Sequence, residues 1–250
     1  MLILLPPSET KTVRRRGTPM ELSRLSFPEL TQARRGVVDA VGRLSATDEA
    51  PHVLGVSPAL AEEVARNTRL RTAPAVRVSE LYTGVLYDAL DLPGLEAGAR
   101  RRAHRRLLVV SALYGALRTT DRVAPYRLSM SVNLPGVGPL ARHWRGPLAA
   151  VLPGLVGRGL VVDCRSSTYA AAWVPEGEPA ARWVRVRVPG ATHMAKHTRG
   201  LVARALCTTA VDPRTPQALA ALLSPDFEVA LEAPSPRRPG WVLDATARSA

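Results

Sequence analysis

The stretch Val109–Met130, VVSALYGALRTTDRVAPYRLSM, decides how this chain is read. A short apolar strand, Leu107 to Ser111, leads into it, and a dense set of other groups follows: Ser111, Tyr114, Gly115, Arg118, Asp121, Tyr126 and Arg127. A packed core does not select polar groups at that density, so the segment is expected to bind something.

Working outward, two other polar loops follow short apolar runs. Met1–Leu5 is a strand ended by Pro6 and Pro7, after which Ser8–Thr12 emerges polar, and Leu160–Asp163 is a strand whose last residue opens DCRSSTY. Helical spacing runs from Phe27 to Leu44, Ser57 to Leu70, Ser79 to Leu90, Pro139 to Leu152, Met194 to Leu206 and Gln217 to Leu223. Arg100–Arg106 reads as an exposed helix end. Trp183–Val188, Phe227–Leu231 and Trp241–Leu243 complete the strands. The pattern is mixed α/β (α+β) in one interlocked domain, residues 1–250, with the Ala233–Gly240 segment APSPRRPG as an exposed loop before the last strand.

In α/β sheets, polar loops gather at the carboxyl ends of strands, where ligands bind, so the three loops are expected to line one cleft. Arg118, Arg127, Arg165 and Arg199 would make it basic, and Tyr82, Tyr114, Tyr126 and Tyr169 would supply rings for stacking. Ser8, Lys11, Thr83, Ser111, Gly115, Ser166 and Ser167 add hydrogen-bonding groups and close backbone approach. Asp121, Asp163 and Lys196 are the catalytic candidates, although each aspartate reads equally well as the structural ion partner of Arg118 or Arg165.

The net charge of +13 points to a polyanionic partner. Of 34 basic residues only two are lysines, Lys11 and Lys196. A coding bias toward arginine that spares two lysines marks both as site candidates, because a compact ammonium with a movable pKa cannot be replaced by a guanidinium fork. No apolar run approaches the roughly 20 residues of a membrane span, and the first five residues are too short for a secretion signal, so a cytoplasmic monomer with no membrane contact is expected. Cys164 and Cys207 read as buried thiols rather than a disulfide framework.

Leu134–Ala141, LPGVGPLA, is similar to the hairpin of helix-hairpin-helix modules, where Gly136 and Gly138 would turn backbone N–H groups toward a phosphate. His193 and His197, four apart, lack the acidic companion of a helical zinc motif, and no metal or other cofactor is expected. There is no Walker loop, no G-x-G-x-x-G and no G-x-S-x-G elbow.

The Ser111–Met130 run resembles the peroxide-stress YaaA family. MLILLPPSETKT, LYTGVL (Leu81–Leu86), VDCRSSTYAAAW (Val162–Trp173) and AKHTRGL (Ala195–Leu201) resemble further landmarks of that family in the same order. Thr10 stands where many relatives have Gly, and Thr119 where Pro is usual. The resemblance implies protection during peroxide stress and DNA binding through a basic cleft. Two functions are therefore carried forward: a protein that binds duplex or partly unpaired DNA without reading sequence, and an enzyme acting on a nucleotide or nucleobase.

Overall fold

Leu2, Ile3, Leu4 and Leu5 are all buried, with no polar alternation, as expected of a parallel strand covered on both faces. A computed structural model describes residues 1–190, 192–236 and 238–248; the side chains of Thr192 and His193 lie outside the described set, and with them the His193 position. The Leu2–Leu5 strand (β1) lies inside a seven-stranded mixed sheet with Leu107–Ser111 (β2), Gly115–Arg118 (β3), Val161–Asp163 (β4), Trp183–Arg187 (β5), Phe227–Glu232 (β6) and Trp241–Ala247 (β7). The order is β6-β7-β5-β4-β1-β2-β3. Strands β7, β5, β4, β1 and β2 are parallel, and β6 and β3 pair antiparallel at the two edges.

Ile3 sits opposite Leu107 on one side and Val162 on the other, so β1 is flanked by β2 and β4. From β1 the sheet grows one way through β2, and from β4 it grows the other way through β5. The carboxyl ends of β1 and β4 thus form a topological switch point, where the diverging connections leave a crevice.

The longer helices are Thr31–Leu44 (α1), Val85–Leu90 (α2), Ala97–Arg106 (α3), Leu140–Val156 (α4), Thr192–Thr208 (α5) and Pro216–Leu223 (α6). Two expected helices are broken. Residues 57–70 form three short helical pieces, begun where the Ser57 hydroxyl accepts from the Ala59 N–H. Residues 79–90 split at Tyr82–Gly84, because Gly84 takes φ +89° and turns the chain out of the helix. Arg100–Arg106 is not simply an exposed end: Arg102 Nε donates to Cys207 O (2.9 Å) and Arg106 to Thr209 O (2.9 Å) and Val211 O (3.1 Å). Both guanidiniums cap the carboxyl end of α5, where the carbonyls need donors.

The Leu134–Pro139 hairpin is present, with Gly136 and Gly138 at φ +79° and +90°, and leads straight into α4. No helix precedes it, for residues 124–132 are extended chain and turn, so half of the helix-hairpin-helix arrangement is missing. Ala233–Pro236 is exposed as expected, while Gly240 at the end of that loop is buried.

Helix α5 lies directly on α2 at Gly200, where an added Cβ would stand 2.2 Å from Leu86 O and 2.8 Å from the Ala89 methyl. Backbone must move to admit it. Gly200→Ala is expected to cost about 1–3 kcal/mol by overpacking, read as a lower urea midpoint at unchanged slope; wild-type stability would show that the two helices slide freely.

Candidate functional site

A cavity of about 780 Å3 opens at the switch point. Its floor is the Pro6–Lys11 loop after β1, one wall is Ser166, Thr168 and Tyr169 after β4, and Lys196 and Arg199 reach it from α5. Val53–Val56, Gly84–Tyr87 and the Arg127–Asn133 segment close the remaining sides. Two of the three expected loops therefore meet.

The third does not. Ser111, Tyr114 and Gly115 belong to the closed β2–β3 connection, with Ser111 and Tyr114 at 0% exposure. Trp144 of α4 covers this turn, donating Nε1–H to Ala112 O at 2.8 Å, and a Cβ on Gly115 would lie 2.5 Å from its ring. An antiparallel hairpin between adjacent strands needs no open crevice, so this loop was free to be buried. Arg118 also lies away from the cavity, its guanidinium over the Phe27 ring and its Nη1 donating to Arg105 O at 3.0 Å.

The aspartates are similarly placed. Asp121 accepts from the Ser26 N–H and hydroxyl, both 2.9 Å, and from the Arg118 backbone N–H at 2.8 Å. Asp163 and Arg165 form a buried bidentate pair, 2.8 Å and 2.7 Å, and the second Asp163 oxygen also accepts from Trp183 Nε1 at 3.0 Å. Arg165 in turn donates to Tyr169 O and Trp173 O. Neither carboxylate lines the cavity; the Asp163–Arg165 pair shapes the loop that presents Ser166 and Tyr169. Ser167 is exposed next to that wall.

Lys11 is the most constrained group of the floor. An antiparallel bridge pairs it with Tyr82 at the break between the two helical pieces, while Thr12 N–H donates to Leu81 O and Thr83 N–H to Thr10 O. Its Nζ donates to Ser8 O (2.7 Å) and Glu9 O (3.1 Å) and stands 4.3 Å from the centre of the Tyr126 ring. Burial and the neighbouring Arg127 guanidinium bring its pKa down to about 7, although Glu63 and Glu9 pull the other way. Tyr82 and Tyr126 are buried behind it, hydroxyl to hydroxyl, and Tyr126 continues to Ser111 Oγ at 2.8 Å. These rings back the lysine rather than offer stacking faces.

Arg127 takes both nearby carboxylates, Glu9 at 3.1 Å and Glu63 at 3.3 Å. Its backbone is held by Asn67, whose side-chain amide accepts from Arg127 N–H (2.9 Å) and donates to Arg127 O (2.8 Å), as a neighbouring strand would.

A family model described as peroxide stress protein YaaA matches residues 1–233. This chain belongs to that family. Among its relatives, a UPF0246 protein of Streptomyces coelicolor is 51% identical, covering 98% of this chain and 97% of its own. UPF0246 proteins of Corynebacterium efficiens and Burkholderia pseudomallei are 40% and 28% identical, covering 84% and 88% of this chain and 86% and 89% of theirs. Against the usual YaaA-family pattern, Thr10 is accommodated without a left-handed backbone, and the buried Thr119 uses its hydroxyl on His104 Nδ1 at 2.7 Å, a bond that proline lacks. Asn67 and Glu9 were missed in the sequence; nothing local to Asn67 announces a partner 60 residues away. Among the described residues no helix is long and apolar enough to cross a membrane.

Proposed function

We infer that this YaaA-family chain serves peroxide-stress protection by binding DNA without reading its sequence, seating one unpaired, phosphate-bearing nucleotide in the switch-point cavity. One observation carries this reading: among the described residues, five charged side chains line the cavity, and Lys11, Arg127, Lys196 and Arg199 are basic while only Glu9 is acidic. A space of about 780 Å3 lies within the range of small-ligand sites. It suits a single nucleotide rather than a duplex. The overall charge of +13 would draw the rest of the strand to the surface around it.

Binding to bubble and duplex DNA across salt concentrations tests the reading. Bubble DNA is expected to bind more tightly, and affinity to fall with salt as counterions are released. Arg199→Ala should weaken binding to every sequence alike and make the log–log salt slope shallower by about 0.7. Equal affinity for both DNAs, or an unchanged slope in the variant, would place binding outside the cavity.

An enzyme acting on a nucleotide or nucleobase in the same space is the second reading, favoured by Lys11 with a pKa near 7, suited to proton transfer or nucleophilic attack.

A further inference from the structure

The chain's only two lysines, far apart in sequence, both line one cavity. They differ in setting. Lys196 is exposed on α5, whereas Lys11 is half-buried on the floor, with Nζ held by the Ser8 and Glu9 carbonyls and the Tyr126 ring. Arg127 occupies Glu9 and Glu63, the carboxylates that would otherwise pair with Lys11, and no salt bridge to Lys11 is present among the described residues. A lysine withheld from counter-ions and set beside another cation is an activated amine.

We propose that Lys11 is a nucleophile that condenses with the aldehyde of a phosphate-bearing ligand to form an imine, while Arg199 and Lys196 hold the phosphate. The proposal rests on the phosphate-binding reading of the cavity given above. In the step, the Nζ lone pair attacks the carbonyl carbon to give a carbinolamine. Both amine hydrogens then leave with the carbonyl oxygen as water, and the C=N bond replaces C=O. No oxidant or reductant is consumed. A pKa near 7 leaves a large share of the amine neutral at physiological pH, where a lysine at its ordinary value is almost wholly protonated. The two carbonyls can accept both N–H groups of that neutral amine, leaving its lone pair for the carbonyl carbon. The same chemistry is offered by a free aldose phosphate and by the aldehydic deoxyribose phosphate of an abasic site in DNA.

The sequence carries two lysines, Lys11 and Lys196, so reductive trapping at its side-chain amines can be mapped completely. Protein is incubated near neutral pH with cyanoborohydride and glyceraldehyde 3-phosphate, phosphate-free glyceraldehyde or an abasic-site oligonucleotide, and the modified peptides are quantified by mass spectrometry. The phosphorylated aldehyde is expected to label Lys11 on the order of tenfold or more faster than Lys196. Phosphate-free glyceraldehyde should lag well behind it, and Lys11→Arg should remove that label while Lys196 remains as reactive as before. Whichever phosphorylated carrier traps faster, the sugar or the oligonucleotide, identifies the source. Equal labelling of the two lysines overturns the proposal, as does no label on Lys11 in a protein that still binds bubble DNA; the latter leaves the nucleotide-binding reading intact. Labelling of Lys11 that glyceraldehyde matches without its phosphate overturns the ligand class, and the phosphate-binding reading with it.

Discussion

Asp163→Asn is expected to lower stability by about 3–5 kcal/mol, the cost of leaving a buried charge without its partner. Arg165 has 0% side-chain exposure and Asp163 1%, so water cannot replace the lost carboxylate charge. Besides the guanidinium, the aspartate holds the Arg165 backbone N–H at 3.0 Å and the Trp183 indole, so the β4 loop and its neighbour β5 loosen together. Urea unfolding followed by tryptophan fluorescence should show an early transition. Peroxide protection should fall with the amount of folded protein and return at a temperature where the variant is folded. A variant as stable as wild type but inactive would instead restore Asp163 as a chemical group.

An effect at least as large, about 4 kcal/mol or more, is expected for Arg34→Met, because several buried acceptors lose their donors at once. Arg34 is 0% exposed inside α1. Its Nε donates to Tyr114 O (2.9 Å), its Nη1 to Phe27 O (3.1 Å), and its Nη2 to Ser26 O and Ala116 O (both 2.8 Å). The guanidinium therefore ties the β2–β3 hairpin to the chain entering α1. Phe27 holds φ +64°, a left-handed conformation that a bulky residue adopts only under constraint, and its carbonyl is one of the four acceptors. Arg34→Lys should rescue little, since one ammonium cannot reproduce a planar fork aimed at four oxygens. Calorimetric melting of both variants is the check, and a lysine variant that melts with the wild type would reduce Arg34 to a generic buried cation.

Leu30, Arg34, Val37, Val38 and Val41 share the buried face of one helical stretch, so an arginine on the apolar stripe of α1 was visible in the sequence. Its four acceptors were not, since Tyr114 and Ala116 are 80 and 82 residues away.

What the sequence determined by itself is local. Uninterrupted apolar runs made β1, β2 and β4 buried strands, the prolines after Leu5 ended the first of them, and the polar residues behind β1 and β4 marked the floor and one wall of the cavity. Cys164 and Cys207 were legible as buried thiols, and both are, with burial raising each to a pKa of about 12. The tertiary structure alone decided which polar groups face the cavity and which face the core. Ser111, Tyr114, Asp163 and Arg165 have the same composition of donors and acceptors as a binding site; the antiparallel β3 closing one edge under Trp144 turned the first two inward, and the Trp173 carbonyl and Trp183 indole enclosed the ion pair. Lys11 shows the same division. Its rarity was readable, but its lowered pKa comes from burial and from the Arg127 guanidinium beside it, and the Arg127 backbone is held there by Asn67. A side chain's charge is carried in one residue, whereas its pKa belongs to the neighbours that the fold brings within a few ångströms.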